Sequence, residues 1–314
     1  VLDNLILYAI AEGFTVKSKE NDFCAMHAPF TVYPTPFPEK VFKNAKDIQQ
    51  HFNDLYIAVA SDREWLHNAL DALNLQEDVN AIDEFTGNLL QISKKLGDQV
   101  KDQLQFGIFR SDYMLDDNSG SLLQVEFNTM SSSFGPLSAK VRSIHDFALG
   151  RYGEFCPWKD DQLDLNMPDN HVVAEVAKSM KEAYEKYIEH FQRPSEGVKY
   201  AVLFVVQDSE TNVFDQKGYE YELWSHKIPV VRKTLTQLGD DAHLDSSHLI
   251  VDGYEIALVY FRASYTPTDF PTRKEWDTRE KLELSSAIKC PSINLHLAGT
   301  KKVQQLLANE EHLK

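Results

Sequence analysis

KYAVLFVVQDSETNVFDQKGYEYELWSHKIPVVRKTL, Lys199 to Leu235, decides the fold. KYAVLFVV is a continuous apolar run of the kind found in a strand covered on both faces. The polar loop QDSETN follows, then VFDQKGYEYELWSHK reads as a helix and IPVVRKTL as a second strand. Strand, helix, strand implies a parallel βαβ unit and an α/β fold. Downstream, HLIVDGYEIALVYFR (His248 to Arg262) carries Asp252-Gly253, a hairpin turn signal, and then another buried strand ending at Arg262. Ligands of open α/β sheets bind beyond the carboxyl ends of the strands. Two such ends carry polar residues: Glu210, Asn212 and Gln216 after the first strand, and Arg262 with Tyr265 after the last. Each has a plain structural alternative, since Asn212 can cap the helix starting near Val213 and Arg262 can pair with a surface carboxylate.

Outward from this unit, VVAEVAKSMKEAYEKYIEHF (Val172 to Phe191) repeats apolar residues at helical spacing, and QRPSEG (Gln192 to Gly197) has the composition of a boundary. From Val1 to about Gln105 the stripe formed by Phe52, Leu55, Tyr56 and Val59 is typical of a mostly helical region. APFTVYPTPFPEK (Ala28 to Lys40) interrupts it, because Pro34, Pro36 and Pro38 favour an extended segment. FGIFR (Phe106 to Arg110) and LLQVEFN (Leu122 to Asn128) read as two strands joined by the turn DDNSG. As an antiparallel pair they bring Arg110 near VEFN.

In VEFN the polar residues alternate with the apolar ones, so Glu126 and Asn128 leave one strand face about 7 Å apart. A carboxylate and an amide oxygen suit Mg²⁺, which takes one or two protein ligands and completes its shell with water and substrate phosphates. The pattern is short, and on spacing alone a half-buried strand running into a Ser-rich turn is the favoured reading.

Composition narrows the classes. The 314 residues, 43% hydrophobic and 25% charged, suit an ordinary globular protein of one or two domains. A net charge of −16 argues against nucleic acid as a partner. No apolar run reaches the ~18 residues of a membrane span, which favours a cytoplasmic protein with no membrane partner. Cys24, Cys156 and Cys290 are far apart and outside any CxxC pair, so neither zinc nor a disulfide framework is indicated. The first residue, Val1, hints at a trimmed chain.

The motifs together resemble the eukaryotic glutathione synthetase family of ATP-grasp ligases. The resemblance runs through APFTVYPTPFP, GIFRSDYM, QVEFNTMSSSFG, the series Glu210 to Gln216, ALVYFRASYTPTDF, AIKCP and LAGTKKVQQLL. It implies ligation of γ-glutamylcysteine to glycine with ATP and Mg²⁺ through an acyl phosphate, in a homodimer of glutathione biosynthesis. By residue, it implies Mg²⁺ on Glu126 and Asn128, and ATP against Met114, Glu126 and Lys301. Arg110 would be both catalytic and peptide-binding. The γ-glutamyl peptide would lie on Arg110, Met130, Ser131, Ser132, Ser133, Glu210, Thr211, Asn212, Gln216, Arg262, Ala263, Ser264 and Tyr265. The chemistry is reasonable, because arginines offer paired N–H donors to the peptide carboxylates while Glu210 balances its ammonium. The implied architecture is a permuted ATP-grasp body in residues 1–192, an α/β substrate-binding domain in 193–299, and a return to the body in 300–314.

Two departures touch ligand-facing turns. Ser264 stands where the family usually has Gly, and Pro136 where a small residue often follows SFG. Adjustment rather than loss is expected. The family also continues beyond AGTKK through a second Mg²⁺ carboxylate and a glycine-rich loop. The 13 glycines here are dispersed, so the chain alone is expected to be a poor catalyst. A non-catalytic short form binding γ-glutamyl peptides, a synthetase subunit, and a ligase for another acceptor remain as alternatives.

Overall fold

The computed structural model describes residues 1–309 except 22, 75–82, 101–102, 160–166 and 192–196. In chain order the elements are α1 (Leu2–Ala11), β1 (Thr15–Lys17), β2 (Ala25–His27), α2 (Glu39–Ser61), α3 (Arg63–Asn74), α4 (Glu84–Leu96), β3 (Arg110–Leu115), β4 (Leu122–Asn128), α5 (Gly135–Tyr152) and α6 (Val172–Phe191). They continue with β5 (Tyr200–Val205), α7 (Val213–Ser225), β6 (Val230–Lys233), α8 (Leu235–Asp241), β7 (His243–Asp245), β8 (His248–Val251), β9 (Tyr254–Phe261), α9 (Arg273–Leu284), β10 (Ile288–Cys290), α10 (Ile293–Ala298) and α11 (Lys301–Leu307). The fold is mixed α/β, as the sequence indicates.

The chain divides into two compact units, each drawn from three segments. The first comprises Val1–Glu39, Ser133–Lys181 and Ser209–Lys227, and the second Lys40–Ser132, Glu182–Asp208 and Ile228–Lys314. In the first unit, Leu5, Ala9, Phe14, Ala28, Leu137, Ile144 and Ala148 form a small core, with Tyr8 stacked on Phe147 at 4.2 Å. The short antiparallel pair β1–β2 belongs to this unit and has no counterpart in the sequence expectation of helices. The proline-rich stretch is non-helical up to α2, as its three prolines require.

The second unit is built around a sheet of order β6-β5-β9-β8-β7. β5 pairs in parallel with both β6 and β9, and every β5 residue after Tyr200 is buried. The strand–helix–strand reading of Lys199–Leu235 therefore holds, although α7 itself belongs to the first unit, where it packs against α5 and β1. β8 and β9 form the hairpin turned by Asp252 (φ 50°) and Gly253 (φ 77°), the two left-handed residues a tight I′ turn needs. A second core, of α2, α3, α4, α10 and α11, centres on Phe127 of β4, whose ring stacks on Tyr56 at 4.1 Å.

β3 and β4 pair antiparallel, but the strand boundary differs from the sequence reading. β3 begins at Arg110, opposite Asn128, instead of ending there. The chain turns away after Asn128, with Ser131 at φ 52°, so Phe106–Phe109 has no ladder partner to extend the strand. The stretch expected as a boundary lies, apart from Gly197, outside the described residues.

Candidate active site

β3 and β4 carry a polar cluster, and a bulge decides which side chains share its face. Arg110, Asp112 and Met114 pair with Asn128, Glu126 and Leu123 respectively, so β4 spends one extra residue, Val125, between Glu126 and Gln124. β3 alternates without interruption, which puts Arg110, Asp112 and Met114 on one face together with their partners. Without the bulge Leu123 would face away from Glu126. Met114 and Leu123 are both exposed, giving the face an apolar end beside its charged one.

At the charged end Arg110 grips Asp112 with two parallel bonds, Nε to Oδ1 at 2.7 Å and Nη2 to Oδ2 at 3.0 Å. Arg110 Nη2 also lies 3.8 Å from Glu126 Oε1. Asn128 Nδ2 donates to Glu126 Oε1 at 3.0 Å and approaches Asp112 Oδ2 at 3.4 Å. Lys301 Nζ forms an ion pair with Glu126 Oε2. Two carboxylates thus face two cations on a surface that is partly open, with Glu126 22% and Lys301 70% exposed at the side chain.

Lys301 reaches this face because α11 is tied to β4. Gln304, one turn beyond Lys301, accepts from Phe127 N at 2.9 Å and donates to Phe127 O at 3.1 Å, closing a strand-like pair with a side-chain amide. The preceding Gly299 is required by packing, since a Cβ there would sit 2.1 Å from Thr129 Oγ1. Thr129 Oγ1 meanwhile donates to Leu295 O at 2.6 Å. LAGTKKVQQ is therefore a clamp on the end of β4.

The turn after β4 meets the end of β9 within the same unit. Arg262 Nη1 donates to the carbonyls of Ser131 and Ser132, each at 2.8 Å, and Ser132 Oγ donates to Ile108 O at 3.0 Å. Arg262 is only 3% exposed, so the surface-pair alternative does not apply. Arg262 N and Ala263 N both donate to Val205 O, at 2.8 and 3.0 Å. Asp269 then gathers the next three amides on Oδ2: Ser264 N at 2.8 Å, Tyr265 N at 3.0 Å and Thr266 N at 3.2 Å. Met130 lies partly buried against the sheet core, and Tyr265 is 40% exposed.

In the other unit the predicted residues at the head of α7 also gather. Glu210 accepts from Asn212 N at 2.7 Å and from Gln216 Nε2 at 3.0 Å, and Thr211 O accepts from Lys17 N at 2.8 Å. Asn212 occupies the N-cap position of α7 but makes no side-chain cap bond. Its Oδ1 is buried with no partner among the described residues. Asp215 accepts from Phe134 N at 2.9 Å and Leu137 N at 3.1 Å, capping α5 from another helix. Ser133 begins the segment that this cap fixes. Pro136 falls in the first turn of α5, where proline costs nothing.

Sequence reasoning missed Asp112, Asp215 and Asp269. Asp112 had a signal, being two residues from Arg110 on the same strand. The other two act on amides brought near only by folding. Among the described residues no group of three or more His, Cys, Asp or Glu side chains converges to hold a metal, and no helix is long and apolar enough to cross a membrane. Glu126 and Asn128 still fit a hard cation, since turning the Asn128 amide over would present its oxygen beside the carboxylate.

Comparison with known proteins bears on the family of the whole chain. The family model "Eukaryotic glutathione synthase, ATP binding domain" matches residues 1–314. Glutathione synthetase of Dictyostelium discoideum is 36% identical over 304 residues, covering 93% of this chain and 60% of that protein. The chloroplastic glutathione synthetase of Arabidopsis thaliana is 38% identical, covering 90% of this chain and 50% of that one. The glutathione synthetase large chain of Schizosaccharomyces pombe is 35% identical, covering 94% and 62%. The chain thus spans roughly half to three-fifths of these relatives. A solved glutathione synthetase-like effector from Globodera pallida shares the fold with a TM-score of 0.75 at 20% identity, covering 98% of this chain and 64% of that one. By the match along its whole length, the chain belongs to the eukaryotic glutathione synthase family, in the part described as its ATP-binding domain.

Proposed function

We propose that the chain forms the ATP- and γ-glutamylcysteine-binding part of a ligase that joins the dipeptide to glycine, with Mg²⁺ held by Glu126 and Asn128. The observation that carries this reading is the β3–β4 face, where carboxylates, an amide, two cations and two exposed apolar side chains lie together. Phosphoryl transfer asks a protein mainly for positioning and charge neutralisation. Lys301 supplies charge for the ATP phosphates, and Met114 with Leu123 offers an apolar rest for the base. Held by Glu126 and Asn128, Mg²⁺ would supply positive charge against the ATP phosphates. Arg110 neutralises the carboxylate being activated, with Asp112 fixing the plane of its guanidinium.

For the dipeptide we assign Met130, Ser131, Ser132, Ser133, Ala263, Ser264 and Tyr265 as backbone and side-chain contacts, with Arg262 holding that turn in shape. Glu210, Thr211, Asn212 and Gln216 enter through the resemblance, supported by the buried Asn212 oxygen. Homodimerisation and a cytoplasmic location belong to the same proposal. A second reading, a synthetase subunit, is favoured by the S. pombe relative's description as a large chain.

Calorimetric titration of the chain with ATP, with and without Mg²⁺, tests the site directly. Mg²⁺-dependent binding that Glu126→Ala abolishes is expected. ATP binding indifferent to both Mg²⁺ and Glu126 would overturn the metal assignment. For the protein as the cell makes it, ADP release that needs both γ-glutamylcysteine and glycine is expected, and release without glycine would sink the ligase reading.

A further inference from the structure

Ser264 lies between Arg262 and Tyr265 and is completely buried at φ 81°, a backbone region that favours glycine because a Cβ there is strained. A strained residue persists where its surroundings over-determine it. Two groups do so here. Asp269 collects the amides of Ser264, Tyr265 and Thr266, and its other oxygen is fixed by Gln207 Nε2 at 2.9 Å. Arg279 of α9 donates from Nη1 to Ser264 Oγ at 3.0 Å.

Arg279 is well placed for this. Its side chain is wholly buried, its Nη2 donates to Glu283 Oε1 at 2.7 Å, and its guanidinium lies 3.9 Å from the centre of the Phe261 ring. Glu283 is fixed in turn by Ile293 N, at 3.2 Å from its second oxygen. The guanidinium is therefore held by an anion, a ring and a hydroxyl. Phe261 is the last residue of β9, so the same cation braces the strand and the loop that leaves it.

We infer that Arg279 is a positioning residue for the Arg262–Tyr265 segment, using the Ser264 hydroxyl as its handle to hold that residue in the left-handed conformation. Arg279 is wholly buried. It acts through Ser264, and a serine here has what neither alanine nor glycine offers: an acceptor for a buried cation. The functional consequence rests on the proposed peptide-binding role of this segment.

The test compares Ser264→Ala with Ser264→Gly in the full chain. Alanine keeps the strain and removes the handle, whereas glycine removes both. Amide hydrogen exchange at Ser264–Thr266, read against the β5 amides, should be at least tenfold faster in the alanine variant and intermediate in the glycine variant. Arg279→Lys, which keeps a charge for Glu283 but loses the fork, should speed the same amides. Calorimetric titration with γ-glutamylcysteine should show affinity falling about tenfold for alanine, with ATP affinity falling less. Exchange and dipeptide affinity in Ser264→Ala equal to wild type would overturn the inference. If the exchange order holds but the wild-type chain binds no dipeptide, Arg279 stands as a positioning residue and the peptide-binding reading of the segment falls.

Discussion

The second unit contains two charge clusters of opposite character. On the β3–β4 face, Arg110 and Lys301 meet Asp112 and Glu126 in pairs that are about a quarter to two-thirds exposed at the side chain. Beyond the end of β9, Arg279 and Glu283 pair with almost no exposure, and the buried Lys289 Nζ donates to Gln103 Oε1 at 2.5 Å, Ser285 O at 2.7 Å and Glu283 O at 3.1 Å. Exposed pairs contribute roughly 0–1 kcal/mol, so their members can exchange partners at little cost. Breaking a buried pair costs about 3–5 kcal/mol, because the abandoned charge stays unsolvated. The open cluster suits recognition of a charged ligand, and the closed one suits holding a backbone in place.

Variants of the closed cluster should show the largest effect. Arg279→Met, which leaves Glu283 buried without its cation, is expected to lower unfolding stability by about 3–5 kcal/mol in urea titration. A loss under 1 kcal/mol would mean that the two clusters do not differ in kind.

Acid should act on the same region more gently. His296 is buried near Arg279, and burial, reinforced by that guanidinium, pushes its pKa down to about 3. Below pH 6.5 the unfolded chain takes up a proton that the folded chain refuses, so stability present above 6.5 is lost as pH falls toward 3. By pH 5 the loss from this group amounts to about 2 kcal/mol. His296→Phe should flatten that part of the stability–pH curve, and an unchanged curve would show that the ring is hydrated.

The open cluster should yield the smallest stability change and the clearest ligand effect. Asp112→Asn is expected to shift unfolding by less than about 1 kcal/mol while weakening Mg²⁺-ATP binding, measured by calorimetry. A large stability loss with intact nucleotide binding would make this cluster structural like the other.

The same contrast explains what was legible in the sequence. β5, α6 and the Asp252-Gly253 hairpin follow from periodicity and turn chemistry that act over a few residues. Glu126 and Asn128 were visible as an alternating pair, and Arg110 through the antiparallel hairpin. The bulge at Val125 was not, because a one-residue change of count on one strand leaves no periodic trace. Nor was the cap that Asp215 gives to α5, 78 or more residues away along the chain. The grip of Arg279 on Ser264 spans α9 and a loop, and only tertiary packing brings those groups together. What escaped the sequence is largely the machinery of positioning.

Phe127 has one more consequence. It stands between Glu126 and Asn128 and points the other way, into a ring stack with Tyr56. Slipping β4 by one residue would drive a carboxylate into the helical core and lift a phenyl ring into water, so misregistered states are rejected by solvation before any ligand arrives. The accuracy of the chemistry on one face is thus proofread by oil on the other.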